Sequence, residues 1–260
     1  MAKLYPIISK NLSYHKNIKH GFFTRNGGFS NKDFHSLNCS LSSGDNLLNV
    51  NKNREIVCRY FNKNIRYLKT VQQIHSNKVV VISDTNHISS VQKADSIITN
   101  IPNIILGILT ADCAPILLFD YKSKIIAAIH VGWKGAKSKI ISSTINEMCK
   151  IGGKRSSILA AIGPCIGKNS YEVGEDLYED FKNINLNYIK YFSSFKINKF
   201  LFNLPELILS QLVEEKINIK NISKCTNDTY TDEKKFFSHR RNIKTNSKST
   251  GRMISAISII

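Results

Sequence analysis

The chain has 260 residues, 42% hydrophobic and 22% charged, an ordinary globular composition with enough apolar material for a sizeable core. Its start, MAKLYPIISKNLSYHK, has no apolar h-region with a cleavage site, and no apolar run reaches the roughly 18–20 residues that cross a bilayer. A soluble cytoplasmic protein is therefore expected. The net charge of +18 is dispersed as single lysines among Asn and Ile, which argues against a nucleic-acid face but would suit an anionic small substrate.

A Gly/Asn turn segment at 24–33 comes first, followed by a helix over 49–62. Strands are predicted over 67–73, 78–83, 94–98 and 104–110. The clearest unit is a hairpin of strands 114–120 and 125–131, joined by the turn Tyr121-Lys122-Ser123-Lys124. A helix over 135–150 follows, with Ile140, Ile141, Ile145, Met148 and Cys149 on one face and Gly152-Gly153 beyond its end. A strand over 157–162 leads into GPCIG, and helices are predicted over 173–183 and 204–216. Asn203 can cap the latter, with Pro205 in its first turn. No repeat, low-complexity linker or hinge divides the chain. Strands and helices mixed throughout predict an α/β, or α+β, layered fold in one domain spanning 1–260.

Six cysteines (39, 58, 113, 149, 165 and 225) include no CxxC pair, so a disulfide framework is not expected. Cys58 and Cys149 read as small buried hydrophobes in helices. Cys113 differs, because it joins His75 and His130 as one of three polar residues that interrupt or end apolar, strand-like runs. Three mixed sulfur and nitrogen ligands leave one position of a tetrahedral zinc site open, which is the catalytic pattern. The hairpin tests this set. A tip at Tyr121 and Lys124 puts His130 opposite Pro115, with Cys113 two positions further along on the same face. Side chains at that diagonal, roughly 7–8 Å apart at the backbone, can converge on one ion. His15, His20, His35 and His87 sit in polar surroundings and read as surface residues, with His239 intermediate.

The segments TRNGGFS, SLN, Asn53-Arg54, QIHSNKV, ADSIITN, TADCAPILL, AAIHVGWKG, AAIGPCIGKNSYEVG, FNLPELILSQL, FFSHRR and STGRM occur in this order. Together, from about residue 20 to 256, they resemble the YfiH family, which carries a laccase-like "multicopper polyphenol oxidase" label. The resemblance implies a YfiH-like single domain of mixed β-sheets flanked by helices, comparable with Cys/His hydrolases of the cytotoxic-necrotizing-factor type. It implies zinc, with copper as the alternative, on His75, Cys113 and His130. It also implies phosphorolysis of adenosine, inosine, guanosine and 5′-methylthioadenosine, with phosphate as co-substrate and adenosine deamination as a side activity. Four positions depart from the family pattern: Ser76 for Gly, Lys134 for Arg, Asn203 for Asp and His239 for Tyr.

On this reading Asp112, Cys113 and His130 are the catalytic candidates, Asp112 either donating a proton to the purine or orienting a ligand. Arg25, Asn38, Asp45, Lys134 and Arg240 are the substrate-binding candidates. Arg25 can supply charge to phosphate, and Gly27-Gly28 allow a close backbone approach. Lys134 keeps a positive charge but lacks the bidentate fork of Arg. The H-x-E…P-C-x-x-C signature of cytidine-type zinc deaminases is absent. A Cys113/His130 thiol hydrolase and a copper-dependent polyphenol oxidase are the alternative readings. Three ligands fall short of a multicopper set.

Overall fold

Strands that pack on both faces must be apolar on both, and ILLF and IIAAI of the central hairpin are written that way. A computed structural model describes residues 4–83, 92–246 and 249–260; His87 lies outside them. The chain opens with α1 (Lys10–Ser13), β1 (Ile18–Phe22), α2 (Leu47–Tyr60), β2 (Leu68–Lys69), β3 (Val79–Ile82), β4 (Ser96–Thr99) and β5 (Ile105–Thr110). The hairpin β6 (Ala114–Asp120) and β7 (Ile125–Val131) follows, then α3 (Trp133–Lys137), α4 (Ile140–Lys150) and β8 (Ile158–Ile162). Next come β9 (Glu172–Gly174), α5 (Glu175–Ile184), β10 (Phe192–Lys196), β11 (Lys199–Phe202) and α6 (Leu204–Glu214). The chain ends with β12 (Ile222–Lys224), α7 (His239–Lys244) and β13 (Met253–Ile259).

These strands form a six-stranded sheet ordered β12-β8-β6-β7-β4-β3, a four-stranded sheet β1-β13-β5-β2, and a small sheet β10-β11-β9. Pairings β3–β4, β8–β12 and β2–β5 are parallel and the rest antiparallel, so the larger sheets are mixed. Side chains alternate along the central strands with period two. Ile116, Leu118, Ala127 and Ile129 face Ile141 and Ile145 of α4 and Leu207 of α6. Leu117, Phe119, Ile126 and Ala128 face Leu106, Ile108 and Ile257 of the second sheet. The other side of that sheet, through Ile105, Ile254 and Ala256, meets Val57 and Cys58 of α2. The layers therefore run helix, sheet, sheet, helix, as the α/β layered reading expected.

The hairpin turn fixes the register. The buried Asp120 carboxylate accepts from the backbone N–H of Lys122 (3.0 Å) and Ser123 (3.2 Å), and Lys124 takes a left-handed φ of 53°. Asp120 then pairs with Ile125, and Pro115 with His130, as the sequence predicts.

Three expectations need correction. The helix read over 135–150 is broken at Lys139, which adopts φ 61°, and Gln211 Nε2 donates to the Ala136 carbonyl at 2.9 Å, beside the Lys139 N–H at 3.3 Å. The strand read over 67–73 keeps only Leu68–Lys69, because the chain leaves the sheet to bring His75 back towards the hairpin. His20 is not on the surface but 4% exposed within β1, its Nε2 accepting from the Ser9 N–H at 2.9 Å. His15 is half-buried beside Phe119 and Tyr121, and His35 is exposed. All six cysteines are free.

Candidate active site

His130 is the penultimate residue of β7 and is buried; Cys113 sits immediately before β6 on the neighbouring strand. His75 arrives from the connection between β2 and β3 and is exposed. One ligand atom from each lies within 4.8 Å of the other two, and Cys113 Sγ is 4.0 Å from His75 Nε2. A tetrahedral zinc with Zn–S near 2.3 Å and Zn–N near 2.0–2.1 Å needs such atoms roughly 3.5 Å apart, so a contraction of about 1 Å would close the set.

Two further observations fit these residues to a metal. The Nδ1–H of His130 donates to Asp95 Oδ1 at 2.8 Å, which leaves Nε2 as the ligand atom. A Cβ built on Gly132 would lie 2.9 Å from Cys113 Sγ and 3.2 Å from His75 Cδ2, so glycine keeps the space clear. His75 and the neighbouring Asp112 adopt φ values of 58° and 88°, unusual for residues with a side chain. The backbone is bent where His75 and Cys113 come together.

Asp95 is the functional residue missed in the sequence. It is fully buried, and besides His130 it takes the N–H of His75 (2.9 Å), the N–H of Ser76 (2.6 Å) and the Ser76 hydroxyl (2.8 Å). Burial opposes its charge, but the His130 and Ser76 hydrogen bonds outweigh burial and hold the carboxyl down at about 2. Ser76, one of the departures from the family pattern, thus supplies a donor that glycine lacks. The signal for Asp95 was an acid immediately ahead of the apolar run SIIT.

Burial also opposes the Cys113 thiolate, yet the His130 charge and hydrogen bonds from both histidines bring the thiol well below its usual range. His130 shows the converse. Burial disfavours its charged form, while the Cys113 charge and the Asp95 hydrogen bond push its proton affinity up.

Two of the three candidate ligands, His75 and Cys113, line a cavity of about 310 Å³. Lys134, Arg240 and His239 bring nitrogen groups to its wall; Trp133, Ile166, Tyr171, Leu204 and Ile243 bring apolar surface. Asp112 also lines it, but its carboxylate is engaged by Thr229 Oγ1 (2.7 Å), Ser238 Oγ (3.0 Å) and the N–H of Arg240 (2.7 Å). Asp112 therefore ties the start of α7 to the ligand-bearing turn.

Of the other substrate-binding candidates, only Lys134 and Arg240 are brought to this cavity. Arg25 lines a separate concavity with His35 and Thr231, its guanidinium 4.4 Å from the Phe237 ring centroid. Asn38 is fully buried, bonded to Asp45 Oδ2 at 2.9 Å and to the Arg252 N–H at 2.9 Å. These three hold loops together. Cys165 is buried, and the burial pushes its thiol up.

The fold and the site define a class: layered α/β proteins with a mixed nitrogen and sulfur ligand set at the open end of a central hairpin. The family described as "multi-copper polyphenol oxidoreductase laccase" matches residues 19–260. A Rickettsia prowazekii protein named purine nucleoside phosphorylase is 32% identical over 246 residues, covering 94% of this chain and 98% of its own. The purine nucleoside phosphorylase YfiH of Escherichia coli is 31% identical over 239 residues, covering 91% and 92%. The crystal structure of the Bacillus licheniformis hypothetical protein YfiH superposes with a TM-score of 0.87 at 29% identity, covering 94% of this chain and 93% of that one. The chain belongs to the YfiH family.

Proposed function

We propose that the chain is a zinc-dependent purine nucleoside phosphorylase, acting on adenosine, inosine, guanosine and 5′-methylthioadenosine, with adenosine deamination as a side activity. The observation that carries this is the cavity itself, of about 310 Å³, where His75 and Cys113 of a metal-capable trio, two cationic side chains and an aromatic-lined wall meet. Phosphate, ribose and a planar base ask for those three surfaces. The relatives' names support the same reading.

His75, Cys113 and His130 would hold the zinc, and the soft thiolate favours zinc or copper over magnesium. When bound, the metal supplies Lewis-acid polarisation of a substrate oxygen or of water. Asp95 fixes the His130 ring and its tautomer. Lys134 and Arg240 draw phosphate to the cavity and hold it by charge. Asp112 keeps Arg240 over the cavity through its backbone N–H, a positioning role in place of proton donation.

The test is metal analysis paired with a phosphate-dependent assay on these four nucleosides, wild type against Cys113→Ala. Stoichiometric zinc and base release, both lost in the variant, are expected. Release that persists in Cys113→Ala would overturn the reading. The Cys113 thiolate against His130 favours a second reading, a thiol hydrolase. Activity that survives chelation but is lost to iodoacetamide would select it.

A further inference from the structure

Tyr171 has no assigned role, and its surroundings are over-determined for a packing residue. Its N–H donates to the Gly167 carbonyl (3.1 Å) and its own carbonyl accepts from the Phe202 N–H (2.9 Å), so the backbone is pinned on both sides. Its ring rests against Phe202, with centroids 5.6 Å apart. The Arg240 guanidinium lies 5.3 Å from the ring centroid, held there by a 2.6 Å hydrogen bond to the Glu172 carbonyl. Phenylalanine would make every one of these contacts. The hydroxyl makes no hydrogen bond among the described residues, and Tyr171 lines the same cavity as Cys113, Arg240 and Asp112. A donor without a partner, on an aromatic wall of a cavity, is a recognition group.

The wall around it narrows the ligand. Trp133, Ile166 and Leu204 line the cavity with Tyr171 and offer ring and apolar surface, with the Lys134 ammonium 5.4 Å from the Trp133 ring centroid and the Arg240 guanidinium against Tyr171. Planar heterocycles stack on such surfaces, and sugar hydroxyls and phosphate do not. We infer that Tyr171 is the specificity-determining donor for the base, its hydroxyl hydrogen-bonding N7 or O6 of a purine whose ring lies along the Trp133 side. This rests on the nucleoside reading of the cavity and adds to it the residue that selects the base. A hydroxyl placed to bond an acceptor discriminates against ligands that lack one, because it is then left unpaired.

Trp133 is the one tryptophan in the chain, so intrinsic fluorescence reports directly on this cavity. The full chain is titrated with inosine, following Trp133 emission, and inosine phosphorolysis is measured in parallel. Saturable quenching is expected in the wild type. Tyr171→Phe should raise the half-quenching concentration and KM about tenfold, with kcat, zinc content and melting temperature little changed. Unchanged titration in Tyr171→Phe, or no quenching in the wild type, overturns the inference. Should Tyr171→Phe not fold, wild-type titrations with 7-deazainosine and with purine riboside replace it. One of these, lacking the bonded acceptor, should bind about tenfold more weakly, and equal binding of both overturns the inference. Tyr171-dependent quenching without phosphorolysis would sink the phosphorylase reading and leave base recognition standing. Equal phosphorolysis and equal titration by wild type and Tyr171→Phe would do the reverse.

Discussion

Asp95 and His130 are joined twice: the His130 backbone N–H donates to the Asp95 backbone carbonyl at 2.8 Å, and the His130 Nδ1–H donates to the Asp95 carboxylate at 2.8 Å. One contact aligns β7 with the segment entering β4, and the other aims the imidazole. Asp95→Asn should weaken zinc binding by about 10- to 100-fold, since an amide cannot accept from His130, His75 and Ser76 together. Competition against a chelator of known affinity measures it. Wild-type affinity in the variant would remove Asp95 from the metal site.

Gly132→Ala separates sterics from backbone strain. Gly132 has φ −88° and ψ 178°, which alanine adopts freely, so the added methyl acts only on Cys113 and His75. Zinc content should fall at least about tenfold at limiting metal, with near-ultraviolet circular dichroism unchanged. Full metal loading would show that the ligands have room to retreat.

Asp112→Asn tests the tie to α7. The start of this helix hangs on Asp112 Oδ2 through the Ser238 hydroxyl and the Arg240 N–H. Faster amide exchange at residues 239–244 is expected, together with a several-fold rise in KM for phosphate and a smaller change in kcat. A large fall in kcat with unchanged exchange would instead favour a direct role in proton transfer.

His20 gives the fold a pH dependence away from the site. Burial holds its imidazole down to about 4, and the Ser9 N–H, donating to the lone pair a proton would take, favours the same neutral form. Between pH 6.5 and 4 the unfolded chain therefore binds a proton that the folded chain does not. Stability is full above this window and falls as pH falls through it, by about 3 kcal/mol from this residue. His20→Gln, which can still accept from Ser9, should lose less stability between pH 7 and pH 4.5 than the wild type. Denaturant melts at the two pH values compare them, and parallel losses would count against the assignment.

The site was legible where it depends on local pairing. Turn residues Tyr121–Lys124 predict the register that sets His130 opposite Pro115, and hence the nearness of Cys113. That His75 comes near Cys113 and His130 was legible, but not that it lies in a loop, because Val71–Ile74 reads as strand and only the tertiary return of the chain overrides it. Asp95 was hidden because it fell inside the strand predicted over 94–98, and the donors that converge on it come from segments distant in sequence. Arg25, Asn38 and Asp45 lie away from the cavity that holds His75 and Cys113. Loops rich in Gly, Ser and Asn look like binding loops, yet these three side chains spend their hydrogen bonds and stacking contacts on the loops themselves.

The hairpin has a consequence for how this protein can change in length. Its tip lies roughly 20 Å of strand from His130, so residues added there leave the ligands' mutual position alone. A single residue inserted between Lys124 and His130, or between Cys113 and Asp120, would turn one ligand to the opposite face of the sheet, into the apolar layer. The β6–β7 pair thus works as a length gauge, permissive at the tip and intolerant of odd-numbered insertions along its arms.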